Sequence, residues 1–225
     1  MMLILDRHLQ SLAQARQTFL DDDFQLVVLD EFLDSERIAR LAEHAAVATE
    51  YDVEYGLVPV DDEGWATTGG RHVNRAEYQA SPAAERYFRF GSSRFWSYAP
   101  GQRRLDPSSP FTLAELDTLL AFVGSATGYQ LGKIRCVIRR FGPGDFIGGH
   151  RHNRHDRVLT AHLPLTAEPG ENLVLELLGH DGSLRRLPLT FNSFSWFDMR
   201  SRWRESIPER TAVTPVDVLL FWFYA

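Results

Sequence analysis

Hydrophobic and polar positions along this chain follow two different periods, and the change falls near residue 133. Before it, apolar residues recur mainly at helical spacing. Leu9 to Leu20 reads as a short helix, followed by the acidic triplet Asp21-Asp22-Asp23, and Phe24 to Leu29 is an apolar run of strand length. Ile38, Leu41, Ala42 and Ala45 then share one helical face behind Asp34 or Ser35 as a cap, which predicts a helix over residues 34–48. A second helix, over 112–127, opens on the capping box Thr112-Leu113-Ala114-Glu115. Its stripe is Leu116, Leu119, Leu120 and Val123, and Gly124 or Gly128 can end it. Residues 51–110 hold many aromatics among glycine, proline and arginine, with no sustained period.

From Lys133 onward the period is two. Ile134, Cys136 and Ile138 alternate with Arg135, Val137 and Arg139 up to the turn Gly142-Pro143-Gly144-Asp145. Strand-like runs follow at Phe146–Arg151, Arg157–Leu165, Asn172–Leu178, Ser183–Leu189, Asn192–Phe197, Trp203–Ile207 and Val216–Tyr224. Gly179-His180-Asp181-Gly182 marks a hairpin between two of them. Eight strands after a helical part predict an α+β fold in one domain over 1–225. Residues 1–132 form the helical or mixed part, and 133–225 a double-stranded β-helix, a cupin-like jelly roll.

Composition narrows the class. With 44% hydrophobic and 24% charged residues over 225 positions, the chain can bury a sizeable core unaided. A net charge of −6 speaks against nucleic acid or an anionic membrane as partner. One cysteine, Cys136, excludes an intrachain disulfide. Asp6 and Arg7 interrupt the apolar start too early for a signal peptide, and no run is long enough to span a bilayer, so a cytoplasmic location is expected. Lysine occurs once, at Lys133, and every other basic residue is arginine. This accords with coding bias or with a use for guanidinium forks.

The informative stretch is Arg140-Phe141-Gly142-Pro143-Gly144-Asp145-Phe146-Ile147-Gly148-Gly149-His150-Arg151-His152. It resembles the strand–turn–strand that carries the metal motif in 2-oxoglutarate/iron(II) oxygenases of the prolyl-hydroxylase type. Leu26 to Leu33 before a helix, Arg157 to Leu165, Asn192 to Asp198 and Phe221-Trp222-Phe223 resemble further strands of that family in the same order. The resemblance implies iron held by two histidines and a carboxylate, with open positions for oxygen and co-substrate. The family's first pair, His-x-Asp, is here His150 and His152. Its distal histidine falls on Arg204, which has no lone pair for a metal, while alternation turns the adjacent Glu205 to the opposite face. The family's basic clamp for 2-oxoglutarate falls near Val216, and its first-strand tyrosine on Phe141. Fe(II) is therefore the expected cofactor, whereas 2-oxoglutarate should bind weakly in the usual pose unless Arg139, Arg157 or Arg210 replaces the clamp.

The candidate catalytic residues are His150, His152 and Arg204, with His150 and His152 as metal ligands and His155 and Asp156 nearby in a polar loop. Arg71, His72, Trp96 and Arg204 are candidate substrate contacts, and Tyr55, Trp65 and Arg94 further candidates for the pocket wall. His162 is expected to face away from the apolar side, and Asp198 to serve a turn. Three functions fit: a divergent oxygenase acting on a small molecule or a carrier-bound or peptidyl residue, a metal-free acid–base enzyme such as a cyclase, isomerase or lyase, and a non-catalytic binding protein. In the second, neutral histidines beside Arg204 would move protons. A homodimer is compatible with the sequence and not required by it. No Gly-x-Ser-x-Gly elbow, Walker A or dinucleotide glycine motif occurs.

Overall fold

Strands dominate among the described residues and join into one antiparallel, curled sheet, with the helices of residues 12–21, 35–47 and 113–127 packed on its outer face. The computed structural model describes residues 4–47, 51–58, 70–150, 157–167, 173–179, 181–199 and 204–225. The N-terminal part contains α1 (Asp6–Gln10), α2 (Leu12–Asp21), β1 (Leu26–Leu29) and α3 (Ser35–Val47). The aperiodic region supplies β2 (Asp52–Leu57), β3 (Arg71–Val73), α4 (Arg75–Ala80), β4 (Arg86–Ser92) and β5 (Trp96–Tyr98), and leads into α5 (Leu113–Thr127). Eight strands follow: β6 (Lys133–Phe141), β7 (Phe146–His150), β8 (Arg157–Pro164), β9 (Leu173–Leu178), β10 (Leu184–Leu189), β11 (Phe194–Asp198), β12 (Arg204–Ile207) and β13 (Val216–Tyr224).

Their spatial order interleaves early with late strands. One run is β11-β8-β13-β6 and another β7-β12-β9-β10; β4 bridges them, pairing Gly91 with Arg140 and Phe88 with Ile147. All nine residues of β13 are buried, because the strand is covered on both faces. Leu219, Phe221 and Phe223 meet Ile38, Leu41, Leu116 and Val123 of the outer helices, whereas Val218, Leu220 and Trp222 point into the curl with Phe90, Phe141, Leu177 and Phe197. Alternation on a two-sided strand thus divides the apolar residues between two cores.

Thr112 caps α5 as expected: its hydroxyl accepts from the Glu115 N–H, and the Glu115 carboxylate accepts from the Thr112 N–H. The helix expected over 9–20 is broken at Ser11 into α1 and α2. His162 faces away from the apolar residues with which it alternates, as expected, yet it does not reach solvent. It turns away from Leu159, Ala161 and Leu163, but into the second core, where it is buried and stacks on Phe197 with ring centroids 5.8 Å apart. Asp198 is likewise buried and accepts from the Tyr129 hydroxyl. No helix among the described residues is long and apolar enough to cross a membrane.

Candidate functional site

The polar groups of the inner core gather where β7 meets β12. Glu205 is the register partner of His150, and the next aligned pair is Ile207 with Ile147. Between these pairs one residue on β12, Ser206, is matched by two on β7, so β7 carries an extra residue at Gly148-Gly149. This bulge brings both Ile147 and His150 inward, although an odd spacing separates them. Gly148 also lets the neighbouring strand approach: a Cβ there would lie 2.8 Å from the Tyr87 ring.

His150 Nε2 lies 3.1 Å from Glu205 Oε1, with both side chains about nine-tenths buried. On the other side of the ring, Nδ1 is 3.0 Å from the Gly148 carbonyl oxygen. A carbonyl only accepts, so a proton on Nδ1 is donated to it, and Nε2 then either donates to the Glu205 carboxylate or shares a cation with it.

Tyr87 stands edge-on to His150 at 6.0 Å between ring centroids. Its phenol is pushed up by burial and by the Glu205 carboxylate, against an opposing pull from Arg204. Its hydroxyl makes no hydrogen bond. Deeper in, Arg139 of β6 lies 4.1 Å from the Phe90 ring centroid and 5.5 Å from that of Trp222. Arg157 of β8 lies over Trp222 at 4.6 Å. The inner site thus combines one His–carboxylate pair, a phenol and two guanidinium groups among aromatic walls.

The other candidates are distributed more widely. The expected order on β12 is reversed, because Glu205 rather than Arg204 faces His150; Arg204 alternates to the opposite side and is half-buried. The reason is that Glu205 shares the buried face of β12 with Ile207, and the bulge on β7 turns His150 toward that same face. Arg71 is exposed and paired with Glu77 at 2.6 Å. His72 sits at the rim, 5.0 Å from Phe88 between ring centroids and 3.5 Å from a Glu54 oxygen. Trp96 lies in the helix-side core, where its Nε1 donates to Ser108 at 3.2 Å, separated from His150 by the sheet. Tyr55 packs on Tyr78, and Arg94 is exposed 3.9 Å from Asp106. His152, His155, Asp156, Trp65 and Trp203 lie outside the described residues. Among the described residues no cluster of three or more potential metal ligands occurs. Tyr87 was hidden in the sequence among other aromatics, and Glu205 by the unreadable bulge. Arg139 left a signal, a charge between Val137 and Phe141 on one strand face.

No protein-family profile and no curated protein sequence matches the chain. Solved structures do. A prolyl-4-hydroxylase from Pseudomonas putida superposes with a TM-score of 0.62 at 17% identity, covering 95% of this chain and 98% of that one. A 2OG-Fe(II) oxygenase family oxidoreductase from Burkholderia pseudomallei gives 0.60 at 14% identity, covering 95% and 90%. A prolyl hydroxylase from Trichoplax adhaerens, in complex with a hypoxia-inducible-factor peptide fragment, gives 0.60 at 10% identity over 97% and 91%. The chain shares the fold of these oxygenases over nearly its whole length.

Proposed function

We propose that this chain is a divergent enzyme of the 2-oxoglutarate/iron(II) oxygenase kind. The interleaved runs β11-β8-β13-β6 and β7-β12-β9-β10 support reading its fold as a double-stranded β-helix. The observation that carries the functional reading is the buried juxtaposition of His150 Nε2 and Glu205 Oε1, 3.1 Å apart at the end of β7. One imidazole nitrogen and one carboxylate oxygen suit Fe(II) in ligand type, and the Nδ1 bond to Gly148 holds the ring in the ligating tautomer. His150 and Glu205 would hold the ion, with His152 as a further ligand. Bound there, Fe(II) would supply the activation of oxygen.

The surrounding residues exclude water and orient what enters. Phe88, Phe90, Phe141 and Trp222 make the walls apolar, and the Tyr87 phenol, neutral at physiological pH, can donate to a substrate oxygen beside the pair. The substrate would be a small molecule or a carrier-bound or peptidyl residue. A peptide is bound by the Trichoplax neighbour, which supports the peptidyl option. Val216, where the resemblance places the co-substrate clamp, is an apolar residue of the inner core. A carboxylate co-substrate would therefore need another basic partner.

One observation favours a second reading, metal-free acid–base chemistry: Arg139 places a positive charge deep in the same core as the pair. A proton then takes the place between His150 and Glu205, and the two transfer it to and from substrate. Metal content decides. After reconstitution with Fe(II) under argon and gel filtration, mass spectrometry should find about one iron per chain, lost in His150→Ala and in Glu205→Ala. Wild type that retains no iron overturns the oxygenase reading in favour of the acid–base one.

A further inference from the structure

At the end of the sheet where β6 begins and β13 finishes, cations and rings alternate across the inner face. Register puts Lys133 of β6, Tyr224 of β13 and Arg157 of β8 in one row, and Arg135 beside Trp222 in the next. Lys133 Nζ lies 5.3 Å from the Tyr224 ring centroid. The Arg157 guanidinium carbon lies 5.9 Å from the same centroid and 4.6 Å from that of Trp222. Trp222 stacks on Phe95 at 5.6 Å, and Arg135 lies over Phe95 at 5.0 Å. Lys133, Arg135 and Arg157 are thereby joined through three rings into one cluster.

The charge of this cluster is not balanced locally. Among the described residues, nine arginines elsewhere pair with carboxylates. Lys133 and Arg135 do not: among the described residues neither makes an ion pair or a side-chain hydrogen bond. Composition does not force this, since acidic residues outnumber basic ones and the net charge is −6. Ring faces orient a cation without neutralising it, and they leave its N–H donors unused. Lys133 is exposed and Arg135 half-buried, and Phe95 beside them is 40% exposed, so a ligand can reach this wall from solvent. Like charges collected on one wall raise the local potential for an anion.

We propose that this wall binds the phosphate group of a small phosphoester, with Lys133, Arg135 and Arg157 as its counter-charges. Strand geometry sets Lys133 and Arg135 roughly 7 Å apart along β6, and Lys133 and Arg157 about 10 Å apart across β13. A carboxylate, with a single charge on two oxygens, is matched by one guanidinium fork. A phosphate monoester carries about 1.5 to 2 charges on three acceptor oxygens, and a diphosphate more, so either can be shared among cations on different strands. Tyr224, Trp222 and Phe95 each already have two or more cations or rings against them, so none is an open platform for a nucleobase. Arg139 connects the wall to the reactive pair: its guanidinium lies 5.5 Å from the Trp222 centroid and feels the charge of Glu205. The phosphate would hold the far end of a substrate whose reacting end reaches His150. That placement rests on the function proposed above, whereas phosphate binding itself does not.

The test is calorimetry on protein stripped of metal and then dialysed free of chelator. Pyrophosphate and phenyl phosphate are the probes, and succinate, citrate and a single-stranded oligonucleotide the comparisons. At least one phosphate probe should bind about tenfold or more tightly than succinate and citrate, although citrate matches it in charge. Lys133→Ala and Arg135→Ala should each weaken that binding by at least about fivefold, and the double variant by more. Arg186→Ala, whose guanidinium pairs with Glu176, should bind as wild type does. Should Arg135→Ala fail to fold, Arg135→Gln and the exposed Lys133→Ala carry the comparison. Absence of phosphate binding at millimolar concentration, a polycarboxylate that binds as tightly, an oligonucleotide that binds more tightly, or undiminished affinity in the double variant would overturn the proposal. Because metal is excluded throughout, loss of the iron reading leaves this result standing, and the reverse holds too.

Discussion

His150 and Glu205 face each other across β7 and β12 with Nε2 and Oε1 3.1 Å apart, both side chains only 10% exposed. Register and a bulge create that contact. Its consequences are testable against the neighbouring residue, which alternation turns the other way.

Glu205→Ala should lower the affinity for Co(II), as a stable substitute for Fe(II), by about 10- to 100-fold or more. Arg204→Ala should shift it by less than about threefold, since the guanidinium is not aimed at His150. Titration calorimetry on both variants checks the pair. Equal losses would mean that Arg204, not Glu205, governs the site.

Gly148 permits the close approach of Tyr87. In Gly148→Ala the added Cβ would meet the Tyr87 ring at 2.8 Å and its carbonyl oxygen at 3.0 Å, so backbone as well as side chain must give. A cost of about 1–3 kcal/mol is expected by urea denaturation. Because the Gly148 carbonyl also holds His150 Nδ1, metal affinity should fall with stability.

Asp145 supplies a pH signature. It is buried, and desolvation raises its pKa above 3.8 despite the Gly142 N–H and the charges of Arg89 and Arg210. A carboxyl with a raised folded pKa binds its proton better when folded, so it penalises stability once ionised. The penalty is complete above the raised folded pKa and absent below about 3.9, the unfolded value. Asp145→Asn should therefore raise the melting temperature at pH 7, and the gain should fade as pH falls through the acid range. A gain that instead grows on acidification would contradict the assigned direction.

Glu115 serves twice, once in the capping box of α5 and once opposite Arg37, whose Nε lies 2.7 Å from its carboxylate. Thr112→Ala removes only a cap and should cost about 1 kcal/mol. Glu115→Ala also strands a largely buried guanidinium and should cost about 3 kcal/mol. Thermal or chemical denaturation of the two variants separates these contributions; equal losses would mean that the Arg37 pair adds nothing.

What the sequence determined by itself is local and periodic. The capping box placed α5, the i, i+3, i+4 stripe placed α3, and alternation from Lys133 onward marked the eight strands β6 to β13. Each rests on nearest-neighbour geometry: a helix turn or a strand pleat repeats along the chain, so its trace is written in consecutive residues. The conspicuous residues His150 and Arg139 were legible as candidates for the same reason. Tertiary structure decided which neighbours they meet. Alternation counted along β12 turned Glu205 away, but Glu205 shares the buried face of β12 with Ile207, and the bulge at Gly148-Gly149 on another strand turned His150 toward that face. Trp96 and Tyr87 look alike in the sequence, yet pairing puts one behind the sheet and the other beside the site. Period-2 alternation gives two faces and cannot say which becomes the inside. That depends on the curl of the sheet and on the helices that cover its outer side, contacts between residues far apart in the chain.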